Sequence, residues 1–287
     1  MTWVVLSLLK ALCESLKDVF SKKGLADIDE YVIAWSLRFF ALPFLLPMLL
    51  FVKIPALGDQ FWPALLLGGG VNVVTSVLYM KAIKESALSL AVPMVAFTPL
   101  FLLLTSPFMV GELPDLPGII GILLIVLGSY ILNFSAASRG YLAPFRALLQ
   151  ARGPRLMLIT ALLWSITANF DKIGVQNSSP IFWSVATTAF VALALFPLML
   201  CKSPSAVQHI SLRSRALAPI GFFGAMTLIF QMTAISMALV AYVIAIKRTS
   251  AVMSVIGGHL VFKEKGVKER LLGASVMILG VVLISLF

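Results

Sequence analysis

The stretches SLKDVFSKKGL (residues 15–25) and SITANFDKIGV (residues 165–175) share one pattern of residues at a separation of 150 positions. The identical positions are Ser15, Phe20, Lys22 and Gly24 in the first stretch and Ser165, Phe170, Lys172 and Gly174 in the second. PMLL at 47–50 and PLML at 197–200 have the same separation. Self-similarity at a constant offset indicates that two parts of the chain share one structural unit.

The likeness continues toward the end of each half, with the offset shifted to 152 residues. The further identical pairs are Met80 and Met232, Ala82 and Ala234, Glu112 and Glu264, Gly121 and Gly273, and Gly128 and Gly280. One alignment with a single small insertion accounts for all of these pairs, so chance is a poor explanation for them. The sequence therefore predicts an internal duplication.

The composition places this duplicated chain in a membrane. Its 287 residues are 60% hydrophobic and 12% charged, and the mean hydropathy is +1.04. A soluble domain of this length cannot bury so much apolar surface, whereas a bilayer-crossing helix needs about 20 apolar residues. We predict ten such spans, near residues 2–21, 32–52, 61–81, 86–109, 116–134, 155–173, 180–201, 216–236, 239–262 and 269–286.

A basic segment, SAASRGYLAPFRALLQARGPR (residues 135–155), separates the two halves. The predicted organisation is a five-helix repeat in residues 1–136, a basic linker in 137–154 and a second five-helix repeat in 155–287. Because each repeat has an odd number of spans, the second must be inverted relative to the first. The predicted fold is thus an all-α polytopic membrane protein of ten transmembrane helices in two inverted repeats, an arrangement typical of alternating-access transporters.

The net charge of +10 is explained by basic loops between the apolar runs. Lys and Arg are concentrated in the loops after the odd-numbered spans, while the opposite loops offer only Lys53 and Lys172. The positive-inside rule predicts that the basic side is cytoplasmic and that both termini lie outside. Anionic lipid headgroups are the expected partner of these loops, and no aromatic–basic surface suited to nucleic acid is present. We expect an integral multi-pass protein of a bacterial inner membrane.

The ends of the two repeats carry a recognisable motif. GELPDLPGIIGILLIVLGSYIL (residues 111–132) and FKEKGVKERLLGASVMILGVVLISL (residues 262–286) each have a Glu followed by two glycines seven positions apart. Over nearly the whole chain this resembles the EamA-type drug/metabolite transporter superfamily. The resemblance implies ten helices, with the third and fourth helices of each repeat around a central cavity. Members move amino acids, nucleotide sugars, sugar phosphates, drugs and other metabolites, so the likeness leaves the substrate open.

Two adjacent cations, Lys247 and Arg248, lie inside the predicted ninth span. A charge in the middle of a span is costly, at least ~2.5–3.5 kcal/mol, so both should face the bundle interior or water. Lys247, Ser250 and Ser254 share one helical stripe. The guanidinium of Arg offers a planar pair of hydrogen-bond donors to a carboxylate or phosphate, and the ammonium of Lys offers a point charge. A Lys–Arg pair in the ninth helix also resembles the phosphate-translocator branch of the superfamily, which implies binding of a substrate phosphate. An internal ion pair and snorkelling to the interface are the alternatives.

The first span carries a polar face that provides a possible internal partner for these cations. Its members are Lys10, Glu14, Lys17, Asp18 and Ser21. Lys10 can pair with Glu14, and Asp18 with Lys22, along the helix. LCESLK (residues 12–17) also resembles the small multidrug-resistance branch, which implies that Glu14 binds a cation and a proton in turn. Glu14 and Asp18 are therefore candidates for ion coupling, and a solvated polar face is the alternative.

Further candidates come from polar side chains in the apolar spans. Asn72 and Gln231 lie in the third helix of each repeat and are predicted either to bind substrate or to bond neighbouring helices. Tyr79, Tyr242 and Trp183 are candidates for the cavity wall or for anchoring at the interface. Arg38, a few residues inside the second span, is expected to snorkel to the membrane surface.

These features predict a secondary transporter of a small anionic or zwitterionic metabolite. A proton-coupled exporter of cationic, drug-like compounds that uses Glu14 is the first alternative, and a non-transporting membrane subunit or receptor is the second. An enzyme is not expected, because the two histidines, His209 and His259, form no zinc motif and no recognisable pair with a serine. No metal and no cofactor are predicted. The expected partners are the substrate, the lipid bilayer and protons as a coupling ion, in a monomer or a homodimer.

Overall fold

The computed structural model describes residues 1–24, 29–85, 94–134, 152–203, 206–250, 252–253 and 267–286. Within this part of the chain all regular structure is helical. The α-helices are α1 (Thr2–Gly24), α2 (Glu30–Phe39), α3 (Leu42–Leu45), α4 (Phe61–Glu85), α5 (Thr98–Met109), α6 (Leu116–Phe134), α7 (Arg152–Gln176), α8 (Pro180–Lys202), α9 (Ala206–Met237), α10 (Val240–Lys247) and α11 (Val267–Leu286). A 3₁₀ helix, Leu46–Phe51, follows α3.

Several of these segments have the length and apolar character needed to cross a membrane. Among the described residues they are Tyr31–Phe51, Phe61–Tyr79, Arg152–Gln176, Pro180–Lys202 and Leu217–Met237. Shorter apolar segments are Thr98–Met109, Leu116–Leu132 and Leu272–Leu286. Large apolar side chains such as Phe108, 90% exposed, and Leu193, 75% exposed, point outward, as lipid-facing residues do. The prediction of an all-α polytopic membrane protein is confirmed. The count of ten spans stays a prediction, because two predicted spans include residues 86–93 and 254–262, which lie outside the described part.

The predicted second span, residues 32–52, is interrupted rather than continuous. Helix α2 ends at Phe39, α3 has Pro43 in its first turn, and the 3₁₀ helix has Pro47 in its first turn. Proline lacks the N–H that would continue the preceding helix and its ring clashes with the carbonyl four residues earlier. The two prolines therefore divide this segment into three short helices.

Helices of the two halves pack in pairs. The main partners are α1 with α9, α4 with α7, α2 with α8 and α6 with α11. In the sequence alignment of the two halves, α1 corresponds to α7 and α4 corresponds to α9. Exchanging the halves therefore turns the α1–α9 pair into the α7–α4 pair and leaves the α2–α8 and α6–α11 pairs unchanged.

The helix containing Lys247 is broken at a position that matches a break in the first half. The N–H of Thr249 donates to the carbonyl of Ile246 (2.9 Å), and the N–H of Phe97 donates to that of Met94 (3.2 Å). These two turns are 152 residues apart, the same offset as in the sequence alignment. Pro99 stands in the first turn of α5, where its missing N–H is tolerated, whereas no proline accompanies the break after α10. Discontinuous helices at equivalent positions of two repeats are typical of transporter binding sites.

The glycines of the repeat motif lie where α6 and α11 touch through their backbones. A Cβ added at Gly128 would lie 2.6 Å from the carbonyl oxygen of Gly273, and one at Gly280 would lie 2.6 Å from that of Gly121. Nonbonded Cβ atoms essentially never lie this close to another heavy atom. Small residues at helix crossings permit this close approach in membranes, which explains why the motif recurs in both halves.

This contact gives a first prediction on stability. Gly128→Ala should lower the thermal stability of the purified protein, because overpacking costs about 1–3 kcal/mol and backbone atoms cannot yield. Gly70→Ala in α4 is the matched control, since a Cβ there meets nothing within 4 Å and alanine favours a helix interior. Thermal unfolding in detergent should give a lower midpoint for the first variant and an equal or higher midpoint for the second. Equal midpoints for the two variants would contradict the assignment.

Candidate functional site

A cavity of about 280 Å³ lies between helices of the two halves. The first half contributes residues from α1, α2, α4 and α5, and the second contributes residues from α7, α8, α9 and α10. Charged side chains around it are Lys10, Glu14, Lys17, Arg38, Asp171, Lys247 and Arg248. Among the described residues, five basic and two acidic side chains thus line the cavity.

Most of the candidates from the sequence meet in this cavity. Those that line it are Glu14, Asn72, Tyr79, Gln231, Lys247 and Arg248. Ser250 is described but is not part of the lining. Ser254 lies outside the described residues, and for Asp18 only the backbone, in α1, is described.

Tyr242 occupies a different place from the other candidates. Its hydroxyl donates to Oδ1 of Asp115 (2.7 Å), and its ring stacks on Trp3 with centroids 6.1 Å apart. Trp3 and Asp115 lie where the chain begins and where α6 begins, so this contact marks the end of the bundle that carries both termini. We call it the termini end.

Lys247 and Arg248 lie at the C-terminal end of α10, where the helix is broken. The exposed carbonyls of a helix C-terminus carry partial negative charge, which stabilises cations there. Lys247 Nζ is 3.7 Å from Oε2 of Glu14 and 5.9 Å from the centre of the Trp164 ring. Nε of Arg248 is buried and has no hydrogen-bond partner among the described residues. A buried donor without a partner is costly, so this nitrogen is available to a ligand that can accept a hydrogen bond.

Glu14 is surrounded by ammonium groups. Its Oε2 is 2.8 Å from Nζ of Lys10, which is fully buried, and its Oε1 is 3.6 Å from Nζ of Lys17. The Lys10–Glu14 pair predicted from the sequence is therefore formed, and Glu14 also approaches Lys247 as an internal counterion. One carboxylate faces three lysines, so the cluster retains excess positive charge.

Two charged residues of the cavity, Asp171 and Arg38, were not predicted from the sequence to lie there. Asp171 is 8% exposed, and its Oδ1 accepts the indole N–H of Trp183 (2.9 Å). Arg38 lines the cavity and donates from Nη2 to Oδ1 of Asn72 (3.2 Å), rather than reaching the membrane surface as expected. Trp183 is fully buried, which excludes the interfacial alternative for it. For Asp171 and Arg38, the sequence signal that could have indicated a place in the cavity is a charged residue within an apolar span.

A second ion pair lies at the termini end of the cavity. Nζ of Lys172 contacts Oε1 of Glu112 (2.8 Å) and the carbonyl oxygens of Ile235 (2.8 Å) and Ala238 (2.9 Å). The other oxygen of Glu112 accepts the N–H of Val240 (2.8 Å). Lys172 was counted among loop residues in the sequence reading, whereas it is a buried residue of α7.

We call this group the Lys172–Glu112 knot, and it lies beyond the cavity-lining residues on the side of the termini end. The cavity-lining residues of α7 precede Lys172, those of α9 precede Ile235 and those of α10 follow Val240. Gly111 adopts φ = 68°, a conformation that glycine reaches without strain, and it turns the chain after α5 so that Glu112 meets Lys172. The knot thereby joins the α5–α6 turn to three helices of the second half.

Known proteins resemble this chain over its whole length. The sequence model of the EamA-like transporter family matches residues 1–134 and again residues 151–286. An uncharacterized transporter of Archaeoglobus fulgidus is 25% identical over 294 aligned positions, which cover 99% of this chain and 98% of that protein. A protein of known crystal structure shares the fold with a TM-score of 0.72 at 16% identity, over 99% of this chain and 97% of that one.

The two matched segments correspond to the two halves found in the sequence, and together they account for nearly the whole chain. The site between the halves is a polar cavity in an otherwise apolar helical bundle, as a membrane transporter requires. The chain belongs to the EamA-like transporter family.

Proposed function

We propose that this chain is a secondary transporter that moves a small anionic or zwitterionic metabolite by alternating access. In this proposal ten transmembrane helices form two inverted five-helix repeats, residues 1–136 and 155–287, joined by a basic linker at 137–154. The helix pairing supports two equivalent repeats related by a two-fold axis, because the pairing is kept when the halves are exchanged. The helix break at equivalent positions supports the equivalence of the repeats independently.

The observation that carries the substrate assignment is the buried Nε of Arg248, which lacks an acceptor at the wall of the cavity. Beside it, Lys247 is only loosely paired with Glu14, at 3.7 Å. A carboxylate or phosphate could accept from the guanidinium fork while it neutralises the ammonium. The five basic and two acidic side chains around the cavity favour such a ligand over a cation.

Alternating access requires that one end of the cavity close while the other opens. The Lys172–Glu112 knot holds the termini end closed in this conformation. The breaks after α10 and before α5 provide positions where the two halves can bend. By the positive-inside rule the termini end faces outward, so the proposed conformation is closed to the outside of a prokaryotic plasma membrane.

The alternative of a proton-coupled exporter of cationic compounds depends on Glu14. Three lysine ammonium groups lie within 4 Å of its carboxylate, and they would repel a cationic compound from this site. We therefore assign Glu14 the role of an internal counterion that a substrate anion displaces from Lys247. Protons remain the candidate coupling ion in the proposal.

The test compares two variants in proteoliposomes. A thermal-shift screen of metabolites with the purified protein first identifies a ligand, since ligands stabilise the state that they bind. For an anion or zwitterion found in this way, Lys247→Glu should abolish uptake, because it replaces the attractive charge by a repulsive one. Glu14→Gln should retain binding, because it removes only the competing carboxylate. Uptake of a cation that survives Lys247→Glu and is lost in Glu14→Gln would establish the exporter instead.

A further inference from the structure

Two opposite charges line the cavity from different halves of the chain. Arg38 belongs to α2 in the first half, and Asp171 belongs to α7 in the second. The two side chains attract one another electrostatically, but their charged atoms lie more than 4.0 Å apart and form no direct ion pair. The attraction therefore acts across the boundary between the two halves.

Each of these charges is held in place by a residue of its own half. Nη2 of Arg38 donates to Oδ1 of Asn72 in α4 (3.2 Å), and Oδ1 of Asp171 accepts the indole N–H of Trp183 in α8 (2.9 Å). The indole has little room to move, because Trp183 is fully buried and a Cβ at Gly174 would overlap its ring. A movement of one half against the other must therefore change the distance between the two charges.

The charge pair lies on the side of the cavity nearest the termini end. Asp171 is the last cavity-lining residue of α7, and the next residue, Lys172, belongs to the Lys172–Glu112 knot. Helix α4 begins beside the C-terminal end of α7, and Asn72, which holds Arg38, is the first residue of α4 to line the cavity. Arg38 and Asp171 thus form the layer of the cavity next to the knot.

The repeat does not supply a matching charge pair. At the offset of 150 residues, Arg38 aligns with Thr188 and Asp171 aligns with Ser21, and neither counterpart carries a charge. In a transporter of two inverted repeats, the counterparts of residues near one end of the cavity lie toward the other end. An attraction of this kind between the halves is therefore specific to the termini side.

We propose that Arg38 and Asp171 form an inner gate that holds the cavity closed toward the termini end. This inference rests on the proposed alternating access, in which the termini end opens during part of the cycle. Opening moves the halves apart at this level, so the two charges must separate against their attraction. That attraction is stronger inside the helical bundle than in water, because the protein interior screens charges less. The knot and the inner gate thus close one end of the cavity in two layers.

The experiment measures access to the cavity from each side of the membrane, in vesicles of known orientation. The protein carries Thr167→Cys, with Cys13 and Cys201 changed to serine, and the probe is a charged methanethiosulfonate that does not cross membranes. Thr167 lines the cavity about one helical turn before Asp171, so it lies behind the inner gate for a reagent from the termini end. Asp171→Asn and Arg38→Gln should each speed labelling from that side about tenfold, without faster labelling from the opposite side.

Both substitutions keep the neighbouring contacts, because the asparagine oxygen can accept from Trp183 and the glutamine amide can donate to Asn72. The double variant should be labelled no faster than the faster single variant, since either change alone removes the attraction. Arg38→Lys keeps the positive charge and should be labelled at nearly the parent rate. Asp59→Asn, which neutralises an exposed carboxylate outside the cavity, is the matched control and should not change the labelling.

Three results would overturn the inner gate. They are unchanged labelling from the termini side in both single variants, a double variant whose acceleration equals the product of the single effects, and equal acceleration from both sides, which would indicate a loosened fold. The labelling needs no substrate, so it decides on the inner gate whether or not a transported metabolite is found. Uptake in separate proteoliposomes tests the proposed function, which fails if no metabolite that binds the wild-type protein is transported.

Discussion

Replacing Lys172 by methionine is expected to lower the free energy of unfolding by about 3–5 kcal/mol, the usual cost of removing one partner of a buried ion pair. The substitution leaves the mostly buried Glu112 carboxylate negative, with one hydrogen bond from the N–H of Val240. It also removes the donor for the carbonyls of Ile235 and Ala238. Thermal unfolding of the purified protein in detergent measures the loss.

A double variant shows whether the loss of stability comes from the unpaired charge of Glu112. Lys172→Met with Glu112→Gln removes both charges and keeps an amide oxygen that can accept from the N–H of Val240. Pairs of this kind are often replaced by neutral residues with little loss, so the double variant should melt well above Lys172→Met. If the double variant is less stable than Lys172→Met, the knot does not act as an ion pair.

The same knot should control access to the cavity. Thr167 lines the cavity in α7, and a cysteine at this position can be labelled by a thiol reagent that does not cross membranes, in a background with Cys13 and Cys201 changed to serine. Glu112→Gln weakens the closure without removing a helix contact, so it should speed labelling from the termini side. Unchanged labelling from that side would show that the knot does not hold the cavity closed.

The parts of the fold that could be predicted from the sequence are those that repeat in it. The glycines of α6 and α11 recur because backbone contact admits no side chain at Gly128 or Gly273. The break of the second span was missed because a window of average hydropathy does not register that Pro43 and Pro47 remove backbone donors. Hydropathy reports where the chain meets lipid, whereas backbone hydrogen bonding decides where a helix ends.

Part of the candidate site could be predicted from the sequence, because charged residues are costly inside a membrane. Lys247 and Arg248 lie far inside an apolar run, so their presence required an explanation, and the structure places both at the cavity. Asp171 gave a weaker signal, because it lies beside Lys172 near the predicted end of the sixth span at residue 173. Helix α7 continues to Gln176, so Asp171 and Lys172 lie deeper in the bundle than that boundary implied. Asp171 and Lys172 contact different helices, and a single sequence does not show which helices pack against each of them.

Arg248→Met is expected to reduce the affinity for the substrate anion about ten- to hundredfold. A hydrogen bond to a charged group contributes about 1.5–3 kcal/mol, and each 1.4 kcal/mol is a factor of ten in affinity. The methionine side chain fills similar space but offers neither charge nor donor. Titration of the ligand identified by thermal shift, followed by uptake in proteoliposomes, measures the effect.

Arg248→Lys separates charge from geometry. Lysine keeps the positive charge but lacks the planar fork and the Nε donor, so the affinity should fall between those of wild type and Arg248→Met. Stability provides the control, because Nε of Arg248 has no hydrogen-bond partner in the described part of the chain. Removing a buried donor without a partner should leave the melting temperature of the ligand-free protein unchanged or raise it. A large fall in that temperature would mean that Arg248 supports the fold, and a substrate affinity unaffected by Arg248→Met would exclude the guanidinium from the binding site.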